Sequence, residues 1–254
     1  MKRLHNPLRF RPYIKKTFVR LIILVKLKRI GLLGGISHYT TLEYYRRIMD
    51  LYKELYNDLD YPEIIIYSLS HGRFKKYEDN QQIKEYIDYI SQGIFGLINS
   101  GAEIIALAAN SPHRVINELK ERFDVPIISA IDSAFNEAQR LKIQTGLLLG
   151  IKFTMQSTFY QERFKKGSID LVTPSNQEQE IMNDIIFNKF NGQNIDQSSI
   201  TAILNIVDRY SVDGVILGCM RLPIFFNNQT VNRFNLVNTL DRHIEDILEF
   251  ARIK

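Results

Sequence analysis

The sequence predicts an α/β protein made of two similar halves, each a parallel sheet covered by helices. Three observations carry this. Short apolar runs alternate with amphipathic stretches from Ile30 to the C-terminus, the pattern of strands joined by helical crossovers. Two of the runs have nearly the same shape: Ala102–Pro112 (AEIIALAANSP) and Val212–Pro223 (VDGVILGCMRLP). Aligned, Leu107 meets Leu217, Ala108 meets Gly218 and Ala109 meets Cys219, an offset of 110. Close offsets recur, 116 between Leu32–Gly34 and Leu148–Gly150, and 109 between Val125–Asp132 and Phe234–Asp241. Repetition at one approximate period points to a duplicated unit related by a pseudo-twofold. The alternative is one doubly wound sheet whose strands merely resemble one another.

Element by element, Ile30–Gly35 reads as a strand ending in the turn Gly34–Ser37. Leu42, Tyr45, Met49, Tyr52 and Leu55 then follow helical spacing. Glu63–Tyr67 is a strand, and the polar stretch His71–Asn80 reads as a loop. Ile83–Ile98 carries a helical stripe, and Ile104–Ala108 is a strand. Ser111 reads as an N-cap with Pro112 at the first helical position. Pro126–Ile128 and Ser133–Leu141 close the first half. In the second, Thr145–Leu149 is a strand and Thr154–Phe164 a helix capped by Thr154. Leu171–Thr173, Gly214–Leu217 and Asn235–Val237 are strands, and Glu178–Phe190, Ile200–Tyr210 and Asp241–Ile253 helices. The organisation is an extension 1–29, a first half 30–140 and a second half 141–254, with the final helix free to cross back to the first half.

Composition narrows the function classes. A chain of 254 residues, 45% hydrophobic, buries a substantial core. Its single cysteine excludes an internal disulfide and fits a reducing compartment, so a cytoplasmic location is expected. None of His5, His38, His71, His113 and His243 is spaced from another like a local metal pair, so no metal is expected. Residues 1–29 hold ten Lys/Arg and no acid, whereas the remainder sets 23 basic against 28 acidic residues. The basic pI thus belongs to the tail, which suits an anionic surface; the body lacks a stripe for nucleic acid. The longest apolar run of the tail, Leu21–Val25, is too short to span a bilayer. No small-residue cleavage pattern follows it, and the tail lacks the serines of a transit peptide.

Cys219 stands just past the end of a buried strand, where α/β proteins place ligands and chemistry. It is either a reactive thiol or a small buried hydrophobe. Around it the sequence resembles the aspartate/glutamate racemase family. The resemblance runs from Ile30 to the C-terminus through IGLLGGIS (30–37), LAANSPH (107–113), LLGIKFTM (148–155), FYQERF (159–164) and ILGCMRLP (216–223). It implies two α/β halves facing each other across a central cleft. It also implies chemistry on an amino acid or related diacid without a cofactor, and a homodimer. In the two-base version of the family a cysteine from each half flanks the substrate Cα. One takes the proton and the other returns it on the opposite face.

Carried over residue by residue, the resemblance makes Cys219 one catalytic base. Ala109 takes the place of the other thiol. Asn110 and Ser111 become holders of a substrate carboxylate, or else a turn and cap. Ser37, Thr154 and Met220 become substrate contacts, with Tyr160 at the border of the cleft. Arg73 is either a partner for a second carboxylate or a solvated charge. Met220 and Arg221 stand where the family has Thr-Glu, and Ile151 where it has threonine. Arg221 either supports a thiolate or binds an anion, or points to solvent. His113 reads as a helix residue with a local bond, and His38 as a stand-in base. The leading expectation is racemisation of an aspartate- or glutamate-like substrate. The rivals are a one-sided carbanion enzyme resembling the arylmalonate decarboxylases, and a non-catalytic binder of a small carboxylate.

Overall fold

A computed structural model describes residues 27–57, 59–189, 196–226 and 233–253. All but the last three residues of the basic stretch 1–29 lie outside the described residues. Leu27 packs against the first core and bridges Arg252.

The first half runs β1 (Ile30–Gly34), α1 (His38–Tyr56), β2 (Ile64–Ser68), α2 (His71–Asp79), α3 (Ile83–Asn99), β3 (Ile104–Leu107), a 3-10 turn (Ser111–Val115), α4 (Ile116–Arg122), β4 (Ile127–Ile128) and α5 (Ala130–Arg140). The second runs β5 (Thr145–Leu149), α6 (Lys152–Gln156), α7 (Phe159–Lys165), β6 (Asp170–Val172), α8 (Asn176–Asp184) with a π-helical extension (Ile185–Lys189), α9 (Gln197–Val207), β7 (Gly214–Leu217), a 3-10 turn (Leu222–Phe225), β8 (Asn235–Asn238) and α10 (Thr239–Ala251). Both sheets are parallel and four-stranded. Their orders, β2-β1-β3-β4 and β6-β5-β7-β8, are the same order written twice. The duplication is therefore real, and the single doubly wound sheet is excluded. β1, β3 and β7 are buried throughout and β5 nearly so. Burial on both faces is why they read as continuous apolar runs rather than alternating ones.

Each half lends its last helix to the other. Ile131, Ala134, Phe135 and Ala138 of α5 lie in one core with Leu148, Ile216 and Val237 of the second sheet. Leu240, Ile244, Ile247 and Leu248 of α10 lie in one core with Ile30, Ile104 and Tyr44 of the first. The two helices also pack on each other. The exchange places the strand ends of the two sheets around shared space.

Five sequence expectations need correction. The stretch 71–80 is not a loop: α2 buries Phe74 and Glu78, four apart, and its otherwise polar composition hid that face. α1 buries Tyr44, Ile48, Leu51 and Tyr52, while Leu42, Tyr45 and Leu55 of the expected stripe are exposed. The expected helix 154–164 is two helices, broken where Ser157 turns extended and its hydroxyl bonds back to the Phe153 carbonyl at 2.6 Å. Thr154 lies inside α6, whose N-cap is Ile151. Ser111 opens a 3-10 turn whose N-cap is Asn110, with no side-chain cap bond.

Two buried histidines join the halves. His113 Nδ1 donates to the Ala109 carbonyl at 2.9 Å, and its Nε2 accepts from the Ala130 N–H at 3.0 Å. His243 of α10 donates from Nε2 to the Ile128 carbonyl at 2.9 Å, and its Nδ1 accepts from the Tyr44 hydroxyl at 2.7 Å. Those partners fix both rings in neutral tautomers. Burial lowers the His113 pKa to about 4, and burial with the neighbouring His113 ring lowers that of His243 to about 3.

Below an unfolded value near 6.5 the unfolded chain binds protons that the fold refuses, so stability is complete above pH 6.5 and falls toward about 4 and 3. With two such groups the limiting slope is about 2.7 kcal/mol per pH unit. Urea midpoints should fall between pH 6.5 and 5, before most carboxylates titrate. A flat profile over that range would mean that the rings are protonated inside the fold.

Candidate active site

The sheet ends deliver the site. β1 runs into Gly34-Gly35, where Gly35 has φ +84 and an added Cβ would lie 2.1 Å from the Leu69 carbonyl oxygen. Only glycine makes this turn. It presents Ser37, which caps α1 by accepting from the Thr40 N–H at 3.3 Å. β3 presents Ala109, Asn110 and Ser111; β7 presents Gly218, Cys219, Met220 and Arg221. These groups line one cleft of about 510 Å³, together with Ile151 and Thr154, the α2 face His71, Phe74, Lys75 and Glu78, and Ile186 and Phe187 of the π-helical segment. A cleft of this size suits a small-molecule ligand. A second hollow, about 390 Å³ and bounded by Phe123–Ser133, Asp246 and Phe250, contains none of these strand-end residues.

Six of the seven expected site residues meet here: Cys219, Ser37, Asn110, Ser111, Thr154 and Met220. The seventh, Arg73, does not. It sits on another face of α2 with its guanidinium 5.2 Å from the centre of the Tyr89 ring. His38 lines the cleft as an exposed residue. Met220 is buried between the cleft and the first core, where the Tyr44 hydroxyl meets its sulfur at 3.6 Å. His113 is excluded as a base, since both its nitrogens are engaged.

Among the described residues, two buried donors have no partner. The Tyr160 hydroxyl donates to Asn110 Oδ1 at 2.8 Å. That bond leaves Asn110 Nδ2, which is buried and unpartnered. Thr154 Oγ1 is likewise buried and unpartnered. Leaving buried polar groups unsatisfied costs roughly 1–3 kcal/mol each, and two of them in one cleft suit a bound anion. Arg221 spans the cleft, donating from Nη2 to Ser37 Oγ at 3.3 Å and from Nη1 to the Ile186 carbonyl at 3.1 Å.

Cys219 faces the cleft, but burial pushes its thiol up from the ordinary range, opposed by the backbone N–H groups of Arg221 and Leu222 and by the Arg221 charge. Sequence reasoning missed Lys75, Glu78, His71 and Phe187. A stripe at 71, 74, 75 and 78 was the available signal.

Comparison with known proteins agrees with this geometry. Residues 33–244 match the family model described as Asp/Glu/hydantoin racemase. The chain is 27% identical over 157 residues to the broad-specificity amino-acid racemase RacX of Bacillus subtilis (strain 168), a match covering 60% of this chain and 67% of that protein. An aspartate racemase homologue from Pyrococcus horikoshii OT3 superposes with a TM-score of 0.79 at 30% identity, covering 89% of this chain and 99% of that one. The Picrophilus torridus aspartate racemase shares the fold, with a TM-score of 0.70 at 20% identity and coverage of 89% and 96%.

The thiol environment predicts alkylation behaviour. Iodoacetamide should modify Cys219 slowly at pH 7, with a rate still climbing above pH 9. Arg221→Met removes the opposing positive charge and should push the profile further up. A plateau below pH 8 in the unliganded protein would contradict this placement of the thiol.

Proposed function

The chain belongs to the Asp/Glu/hydantoin racemase family, and from that premise we propose that it is an amino-acid racemase acting without a cofactor on an aspartate- or glutamate-like substrate. One observation carries the reading: the only thiol of the chain shares a cleft with two buried, unpartnered donors, Asn110 Nδ2 and Thr154 Oγ1. In this reading the donors hold the substrate α-carboxylate. Removal of the Cα proton moves charge onto that carboxylate, so donors fixed in advance stabilise the carbanionic state. Tyr160 fixes the direction of the Asn110 amide. Cys219 exchanges the proton on its own face of Cα.

The opposite face is the weak side of the reaction. Ala109 carries no acid–base group, and one such group is typically worth about 10²–10⁴-fold in rate. Turnover should therefore be slow or one-sided. A second reading, protonation of a carbanion after loss of carbon dioxide, is favoured by the raised thiol, which rests in the acid form that such a step needs. No helix among the described residues is long and apolar enough to cross a membrane. The reading includes a cytoplasmic homodimer, whose association light scattering checks.

The test is exchange in D2O across L- and D-amino acids, read by NMR and chiral chromatography. Loss of the Cα proton signal without carbon dioxide release is the expected result. Cys219→Ser should lower exchange by about 10²–10⁴-fold with thermal unfolding unchanged, and Ala109→Cys should raise interconversion. Carbon dioxide release would select the second reading. Binding of a small dicarboxylate with no exchange in any substrate would leave a binder.

A further inference from the structure

α2 brings a carboxylate to the cleft that the proposed reaction does not use. Glu78 lines the cleft and is 7% exposed. Its Oε1 is buried without a hydrogen-bond partner. Its Oε2 meets Lys75 Nζ at 3.3 Å, but that ammonium lies closer to Asp79, at 2.6 Å. One ammonium is thus shared between two carboxylates, Glu78 in the cleft and the exposed Asp79 outside it. The Tyr86 hydroxyl lies between Glu78 and Ser111 but has hydrogen-bond geometry to neither among the described residues. Glu78 therefore stands beside the loop that carries the carboxylate donors.

We infer that Glu78 is the ammonium-recognising residue of the cleft, binding the positively charged amine of the substrate while Asn110 and Thr154 bind its carboxylate. The inference rests on the amino-acid reading of the site. A buried carboxylate oxygen with no donor is costly, and an ammonium supplies up to three donors and the opposite charge. Oε1 is shielded from solvent. The terminal torsion of glutamate is broad, so a rotation there turns an oxygen to an arriving amine without rebuilding the helix. Two amines present the same chemistry: the α-ammonium of any amino acid and the side-chain ammonium of a diamino acid.

The experiment is calorimetric titration of the full chain and of Glu78→Gln with paired probes: L-aspartate against succinate, and L-lysine against L-norleucine. Glu78→Gln should weaken binding of L-aspartate, or of L-lysine relative to L-norleucine, on the order of 10–100-fold, the range of a hydrogen bond to a charged group, and leave succinate unchanged. Loss confined to L-aspartate over succinate assigns the α-ammonium. Loss confined to L-lysine over L-norleucine assigns a side-chain ammonium and a basic substrate. Equal effects on both members of each pair, or no effect on either, overturn the assignment. Glu78→Asp, which keeps the charge on a shorter arm, should retain part of the preference. Tyr86→Phe should retain it in full, whereas a loss equal to that of Glu78→Gln would make Glu78 a mere anchor for the phenol. Because affinity is read without turnover, lost exchange in D2O with intact amine preference refutes the racemase reading alone. The converse refutes the role of Glu78 alone.

Discussion

His113 and His243 meet edge to face, 5.7 Å between ring centroids, where the first half, the second half and the cleft loop converge. Each imidazole uses one nitrogen as donor and the other as acceptor. His113 clamps the Ala109 carbonyl to the start of α5. His243 clamps the end of β4 to Tyr44 of α1. Four backbone or side-chain groups that would otherwise be buried without partners are satisfied by two neutral rings. The position of Asn110, the residue after Ala109, follows from this clamp. A hydrophobic substitute would leave those carbonyls orphaned and the strand end free to shift.

The exchanged helices make the clamp consequential. α5 belongs in sequence to the first half but buries its apolar face on the second sheet, and α10 does the reverse. Hinge motion between the sheets would have to unpack at least one of these faces. The cleft is accordingly a built cavity more than a gap between two free lobes, and its donors are held by packing: Tyr160, wholly buried on α7 of the second half, reaches Asn110 of the first. Unpartnered polar atoms persist in such a place because the surrounding structure fixes them, which is also what ligand binding in a fixed geometry requires.

The parts legible in the sequence were those with a strong period or a strong local constraint. Doubly buried central strands gave unbroken apolar runs, so β1, β3, β5 and β7 were found nearly to the residue. The repeat was visible because the strand ends are where both halves keep similar small residues, Ala108-Ala109 against Gly218-Cys219. α2 was not legible: its inward face is Phe74 and Glu78, and a buried carboxylate looks the same in sequence as a solvated one. The buried face of α1 was misplaced for a related reason, since Leu42, Tyr45 and Leu55 are as apolar as the residues that pack. Arg73 and Lys75 show the limit of one-dimensional reading. Two positions apart on a helix they face different ways, and only Lys75 borders the cleft.

The charge balance of the cleft bears on how a half-buried thiol can act as a base. Desolvation raises the cost of the thiolate, and the Arg221 guanidinium only partly offsets it. Arg221 is held by the Ser37 hydroxyl and the Ile186 carbonyl, which keeps its charge near the thiol. An incoming carboxylate directed to Asn110 and Thr154 adds negative charge and by itself makes the thiolate costlier still. An incoming ammonium does the opposite. A zwitterionic amino acid brings both charges at once, whereas a plain dicarboxylate brings only the unfavourable one. A substrate amine lying between Glu78 and Cys219 would thus ease ionisation of the thiol at the moment the Cα proton must move, and the resting thiol would stay protonated and unreactive until then.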